Sequence, residues 1–410
     1  MAPAPADEDD DIGPDWRLTL WAMVSVQLIM TLSFTILSPI MPLFLPEVGV
    51  TTIVGLDLWS GGLAAVSSLV AAVAAPFWGR LSDRYGRKPM VLRATFCIGI
   101  LTILMGLAQS PWHLLALRVV MGAVAGFSSA AVVLVTTQVP RGRLGSSLGW
   151  LSTGQLVGSL LGPVIGGLLA DLTGSYRKPF FIAGSVSLLA FLLCIYLVRE
   201  RFTPPDRARP RASFVASLRT LTRVPAMAAL VAVLLLSQFG LQAIFPVITI
   251  FVQEMIGNRP DIATLSGLAF SASGIAGVIA VPLLGRMSDR IGERRVLLLA
   301  SAGAALATLP QAFTQSYTMF VAERFGVGLF VGAIVPMTNS MVAKRTSADT
   351  RGATFGLTQS AYFLGNSLGP LTGGVVGAAF GLHWVFLVTA LLLSLAGVAV
   401  FAYVRDAREE

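Results

Sequence analysis

Apolar runs, each about as long as the 20 residues that cross the hydrocarbon core of a bilayer, recur from Leu18 to Phe401 with only short polar breaks. They predict twelve spanning helices, at 17–45, 58–78, 89–109, 112–138, 145–170, 180–199, 225–252, 263–284, 295–314, 317–342, 352–380 and 382–404. A spanning barrel would instead show segments of roughly ten residues with alternating polarity. The pattern therefore predicts an all-α membrane protein. The first run is too long for a signal-peptide core and follows the acidic stretch Asp7 to Asp11, so it is expected to stay as a membrane helix. Composition agrees: of 410 residues, 55% are hydrophobic and 12% charged, too much apolar surface for a water-soluble fold to cover.

The formal net charge of +8 would suggest a nucleic-acid partner if its location did not argue otherwise. Of the 29 lysines and arginines, Arg177, Lys178 and Arg259 fall on one side of the predicted spans, Arg118 and Arg324 lie inside them, and the rest fall on the other side. Basic residues collect on the cytoplasmic side of a membrane protein, which predicts both termini in the cytoplasm and no nucleic-acid role. The chain then divides into an acidic tail (1–16), a six-helix bundle (17–199), a basic linker (200–224), a second bundle (225–404) and a short tail (405–410). The linker is expected to meet anionic lipid head groups. Arg118 and Arg324 are costly in the membrane unless paired, which marks them as functional candidates. Cys97 and Cys194 lie in different apolar runs with no second cysteine or histidine at ligand spacing, so they are read as packing residues and no metal or cofactor is expected.

The chain repeats itself. At an offset of 206, Gly79-Arg80-Leu81-Ser82-Asp83-Arg84-Tyr85-Gly86 meets Gly285-Arg286-Met287-Ser288-Asp289-Arg290-Ile291-Gly292, and Arg118, Gly122 and Gly126 meet Arg324, Gly328 and Gly332. At 207, Gly158, Gly162, Pro163, Gly166 and Gly167 meet Gly365, Gly369, Pro370, Gly373 and Gly374, while Pro39, Phe44 and Glu47 meet Pro246, Phe251 and Glu254. Six spans per half is an even number, so the halves run parallel about an axis normal to the membrane, with a cavity expected between them.

These motifs resemble the major facilitator superfamily over all twelve spans, and in particular its drug:proton antiporters. The loop from Gly79 through Gly86, Arg87 and Lys88 looks like the family's signature between helices two and three. The resemblance places the eleventh helix, beginning near Arg351, beside Asp83, whose carboxylate would take hydrogen bonds from a helix start and an arginine and latch one half to the other. Asp289 would do the same near Arg143. A solvated basic turn that only sets topology is the alternative for both. Gly158-Ser159-Leu160-Leu161-Gly162-Pro163-Val164-Ile165-Gly166-Gly167 resembles the motif of the family's exporting antiporters, and its glycines form a smooth face for close helix packing. Arg118 with Gly122 resembles the fourth-helix arginine motif of those antiporters, in which the guanidinium is linked to the proton-carrying group; Arg324 repeats it in the second half.

Few acids are available to carry a proton. Glu323 alone lies deep in an apolar run and is the candidate carrier, whereas Asp57, Asp171, Glu47 and Glu254 are expected to be solvated caps at outer helix ends. The resemblance implies a substrate cavity lined by the first, fourth, seventh and tenth helices, where Gln27, Met30, Phe34, Gln238, Phe239, Gln242, Phe245, Phe330 and Met337 are candidates. Methionine and phenylalanine re-pack around varied shapes, which suits lipophilic or weakly polar cargo. The expectation is a monomeric, proton-coupled exporter of small molecules in a bacterial inner membrane. A specific importer, or a metabolite, sugar or lipid transporter on the same fold, is the alternative. His113 and His383 are the only histidines and no phosphate-binding Gly-Lys-Ser/Thr loop exists, so an enzyme or ATP-driven pump is not expected.

Overall fold

The computed structural model describes residues 15–202, 225–346 and 351–404, apart from the side chains of Asp83, Arg141, Arg351, Gly352, Ala353 and Phe355. Every regular element among these residues is helical. In the first half, α1 (Trp16–Ile36) continues past Pro39 as the short helix Ile40–Phe44, and is followed by α2 (Ile53–Tyr85) and α3 (Lys88–Gly106). Next come α4 in two pieces (Pro111–Ala123 and Phe127–Gln138), α5 (Leu144–Thr173) and α6 (Lys178–Leu197). The second half repeats the plan: α7 (Pro225–Ile244, extended by Ile248–Ile256), α8 (Ile262–Ile291), α9 (Glu293–Thr308), α10 (Tyr317–Lys344), α11 (Arg351–Phe380) and α12 (Leu382–Tyr403). Among the described residues eleven helices are long and apolar enough to cross a membrane, and α11, of 30 residues, stands in the remaining place.

Glycine and proline set the irregularities. The α4 run, expected as one uninterrupted helix, breaks at Gly126, whose φ of 111° lies in the left-handed region that side chains with a Cβ avoid. Pro246 gives α7 its turn at Phe245–Val247, and Pro163 and Pro370 sit inside α5 and α11 at matching positions of the repeat.

The first residues of α1 and the last of α12 lie on one face of the bundle, here the terminal face; the opposite face is the distal one. Among the described residues there are three apolar cores. Near the terminal face each half has its own: Met23, Met30, Val91, Leu134 and Cys194 in the first, Leu230, Val233, Leu297, Met341 and Val400 in the second. Near the distal face one continuous core joins Phe44, Met105, Leu114 and Phe180 of the first half to Ile244, Phe251, Phe320 and Phe386 of the second. The halves are thus fused at the distal end and separate towards the terminal one.

Candidate functional site

Two helix crossings close the distal end, and the repeat relates them. Gly167 of α5 meets the backbone carbonyl of Ala263 in α8, and Gly374 of α11 meets that of Asp57 in α2. Reciprocally, Gly267 of α8 meets the carbonyl of Pro163, and Gly61 of α2 that of Pro370. A Cβ at any of these four glycines would stand within 3 Å of backbone atoms across the crossing. On the same two helices Gly158, Gly162 and Gly166 face Leu28, Thr35 and Ile36 of α1, while Gly365, Gly369 and Gly373 face Leu235, Phe239 and Ala243 of α7. Each glycine helix therefore packs its own half on one side and the other half at its distal end. Lipid tails are as apolar as leucine, so such close backbone approach, not water exclusion, holds these helices together.

Polar groups tie the crossings. The Asp171 carboxylate at the end of α5 accepts from the backbone N–H groups of Ala263 (3.3 Å) and Thr264 (2.7 Å), capping α8 of the other half. Thr249 Oγ1 donates to the Pro39 carbonyl at 3.2 Å and Ser271 Oγ to that of Leu160 at 2.6 Å. Every one of these bonds joins first half to second.

Towards the terminal face the interface opens. Among the described residues each half there keeps its own apolar core, whereas one core spans both halves at the distal end. The halves are therefore joined at the distal end and packed separately towards the terminal one.

On the terminal side lies the signature loop. Gly86 ends α2 with a φ of 95°. The Glu200 carboxylate accepts from the N–H groups of Arg87 (2.7 and 2.9 Å) and Lys88 (2.7 Å), a negative group at the positive end of α3. Arg87 lies 5.5 Å from the ring of Phe202 and Arg84 lies 5.3 Å from that of Tyr85. The expected pairing of Asp83 with the start of α11 at Arg351 lies outside the described residues. Asp289 and Arg143 are both exposed, and among the described residues no hydrogen bond or ion pair joins them. The acid that is engaged in the second copy is Glu293, which takes hydrogen bonds from Ser340 and, at 2.9 Å, from Lys344.

The buried arginines occupy equivalent positions in different surroundings. Arg324 donates from Nε to the Ala269 carbonyl (3.4 Å) and from a terminal nitrogen to Ser273 Oγ (3.2 Å), so α8 satisfies it. Ser67, the counterpart of Ser273, instead donates to the carbonyl of Arg118 at 3.1 Å. The Arg118 side chain is 9% exposed, its Nε has no partner, and its guanidinium stands 6.0 Å from the ring of Phe34. Glu323 is half-buried on the distal part of α10, and its two carboxylate oxygens accept from Thr314 Oγ1 at 2.7 and 2.6 Å.

The cavity candidates divide. Phe34 is 53% exposed between α1 and α4, and Gln238, Phe239, Gln242 and Phe245 on α7 are half-buried, Phe245 stacking edge-on with Phe270 of α8. Met30 and Met337 belong to the cores of their halves, and Gln27 is buried and donates to Thr31. Phe330 lies on Gly303 of α9, turned to its own half. Sequence pattern assigns a residue to a helix, but which face the helix turns inward follows from its neighbours.

Two outer acids depart from the expectation of solvated caps, and a third, though exposed, is paired. Asp57 is 1% exposed, without any hydrogen-bond partner for Oδ1. Asp171 caps a helix of the other half, as given above. Glu47 pairs with Arg177 at 3.1 Å. A signal existed in the case of Asp57, which precedes the glycines Gly61 and Gly62 by one helical turn on a helix that the repeat matches to the closely packed α8.

Comparison with known proteins places this architecture. The family model described as Major Facilitator Superfamily matches residues 23–266 and 261–410. The chain is 36% identical over 390 residues to "Multidrug resistance protein MdtG" of Rahnella sp. (strain Y9602), covering 94% of each chain. It is 37% identical over 358 residues to the protein of the same name from Escherichia coli O17:K52:H18, covering 87% of each. Among solved structures it is similar to an inward-facing, occupied bacterial homologue of the human lysosomal transporter Spinster, with a TM-score of 0.80, 17% identity, and 97% of this chain and 98% of that one covered. The nucleoside transporter NupG gives a TM-score of 0.75 at 14% identity, with 95% of this chain and 100% of that one covered.

Proposed function

The chain belongs to the Major Facilitator Superfamily, and from that premise we propose that it is a proton-coupled exporter of small lipophilic or weakly polar compounds, working by alternating access from a bacterial inner membrane. One observation carries the reading. The halves are joined at the distal end by two symmetry-related glycine crossings and one shared core and keep separate cores towards the terminal end, which supports a central cavity reached from the terminal side. The uneven distribution of basic residues assigns the terminal face to the cytoplasm, so cargo enters from the cytoplasm or its leaflet. The relatives named for multidrug resistance support outward transport of drug-like molecules.

In this reading the halves rock about α1, α4, α7 and α10. Opening the distal end means parting the Gly167–Ala263 and Gly374–Asp57 crossings while the Asp83 loop and the start of α11 close the cytoplasmic mouth. Phe34 and the half-buried α7 residues Gln238, Phe239, Gln242 and Phe245 offer apolar surface with adaptable amides to cargo. Arg118 supplies an uncompensated positive charge close to Phe34, and a proton gained or lost nearby changes what that charge costs as the helices move. Glu323 is the carrier that the sequence offers. Each positive charge moved down a 100 mV potential yields about 2.3 kcal/mol, enough to bias the rocking equilibrium.

The test is accumulation. Cells stripped of their own pumps and expressing this chain are expected to hold less of a lipophilic fluorescent dye, with the difference erased by a protonophore. Equal dye content with and without the chain would refute export.

A further inference from the structure

Asp57 is an ionisable residue enclosed where the two halves meet. It lies one turn into α2 in the distal seal, 1% exposed; its carboxylate would lie 3.3 Å from a Cβ at Gly377 of α11, and its own carbonyl packs on Gly374. Oδ1 is fully enclosed with no hydrogen-bond partner. One turn deeper on the same face, Ser60 is also buried with an unpartnered hydroxyl, so two unsatisfied polar groups share this pocket. An ionised carboxylate removed from water without a partner costs several kcal/mol, and the group takes up a proton instead.

Among the described residues the surroundings supply no compensating cation. The stretch of α11 from Phe363 to Phe380, which covers Asp57, contains no titratable residue. From the extension of α7, Glu254 presents a like charge that acts on Asp57, and His383 at the start of α12 acts on Glu254. In the turn after the short helix Ile40–Phe44, Glu47 is occupied by Arg177. On α4, His113 is at the distal end and the Arg118 guanidinium is turned to Phe34. On α3, Lys88, Arg93 and Cys97 lie towards the terminal face, Arg93 bonded to the carbonyls of Val124 and Ala125. The Phe245–Val247 turn has no titratable residue.

We propose that Asp57 is a proton-binding site of this transporter: it holds a proton while the distal seal is closed and exchanges it with water on the distal side when the α2–α11 crossing parts. Closing the seal on an ionised Asp57 is opposed, so proton uptake precedes closure and resets the cavity to the cytoplasm. The sign follows from linkage. The closed form binds one proton more than the open form, so raising the pH favours the open form, by up to about tenfold per pH unit for one proton. This inference deepens the proton-coupled reading above and rests on it: Asp57 takes and returns its proton on the distal side and so sets the closing step, while Glu323 remains the proposed carrier.

The experiment measures the seal directly. Cys97 and Cys194 are replaced by Ser and Ala, and cysteines carrying spin labels are placed at Leu172 and Phe313, exposed positions near the distal ends of α5 and α9 in opposite halves. In lipid nanodiscs the inter-label distance distribution is followed between pH 5 and pH 9. The expected result is a closed population that gives way to a longer distance as pH rises, and an Asp57→Asn variant locked in the closed distribution at every pH. Asp57→Ala serves as a second charge-free variant should the amide misfold. A wild-type distribution that ignores pH, or an Asp57→Asn variant that keeps the wild-type response, would overturn the proposal. No cargo is present, so a chain that gates with pH yet moves no dye would contradict the export reading and leave Asp57 in place.

Discussion

A methyl group added at Gly166 would place its Cβ inside 3 Å of the Ile36 carbonyl, whereas one added at Gly142 meets nothing within 4 Å. Backbone does not yield as a flexible side chain does, so Gly166→Ala is expected to cost about 1–3 kcal/mol and lower the melting temperature in detergent, while Gly142→Ala leaves it unchanged. Equal shifts in the two variants would deny the α1–α5 contact its role. The two buried arginines should separate in the same way. Arg324→Gln removes two hydrogen bonds to α8 and is expected to destabilise by about 1–3 kcal/mol. Arg118→Gln removes a buried charge whose Nε has no hydrogen-bond partner among the described residues, so stability is held or raised while proton-driven transport falls at least about tenfold. Melting curves and dye flux on the same two preparations decide it, and a destabilised Arg118→Gln with normal flux would reverse the assignment. Both arginines were legible from their position in apolar runs. Their difference was not, because it lies in whether the facing serine accepts from the guanidinium, as Ser273 does for Arg324, or donates to the arginine's own carbonyl, as Ser67 does for Arg118.

Helices α5 and α11 each serve two partners, and their distal ends are where the halves meet. Asp171 adds a cap from α5 to the first turn of α8. A cap of this kind contributes about 1 kcal/mol, so Asp171→Ala should shift the equilibrium about fivefold towards the distal-open form. A cysteine placed at Ser266, buried in the seal, reports this as faster reaction with a membrane-impermeant maleimide applied from the distal side; an unchanged rate would leave the cap without mechanical consequence. At this scale the glycine periodicity announced close packing, and the repeat announced that α11 would copy α5. Neither identified which glycine faces inward and which faces across: Gly166 and Gly167 are adjacent yet meet different halves, a distinction set by the 100° step between helical neighbours and by where α8 stands. The solvated role expected for Asp57 failed for a related reason. Proximity to a helix end suggested water, but α11 of the other half covers that end, and contacts between the halves leave no periodic trace in either.

Over the whole molecule, the spans and the twofold plan followed from apolar run length and the 206–207 offset, because a bilayer admits so few backbone solutions. Which end of the cavity is closed did not follow, since both states use the same sequence and differ only in which loops meet. The shared distal core and the separate terminal cores describe a transporter open to one side. Alternating access then requires an ion whose binding differs between the two states, and Glu323→Gln is expected to uncouple flux from the proton gradient while cargo binding persists. The central claim is proton-coupled export. Its most direct test is purified protein in liposomes with an imposed pH gradient, following a lipophilic dye and internal pH together. The account predicts that dye and protons move in opposite directions and that both fluxes stop when the gradient is collapsed; dye moving with the protons, or moving unchanged without a gradient, would contradict it.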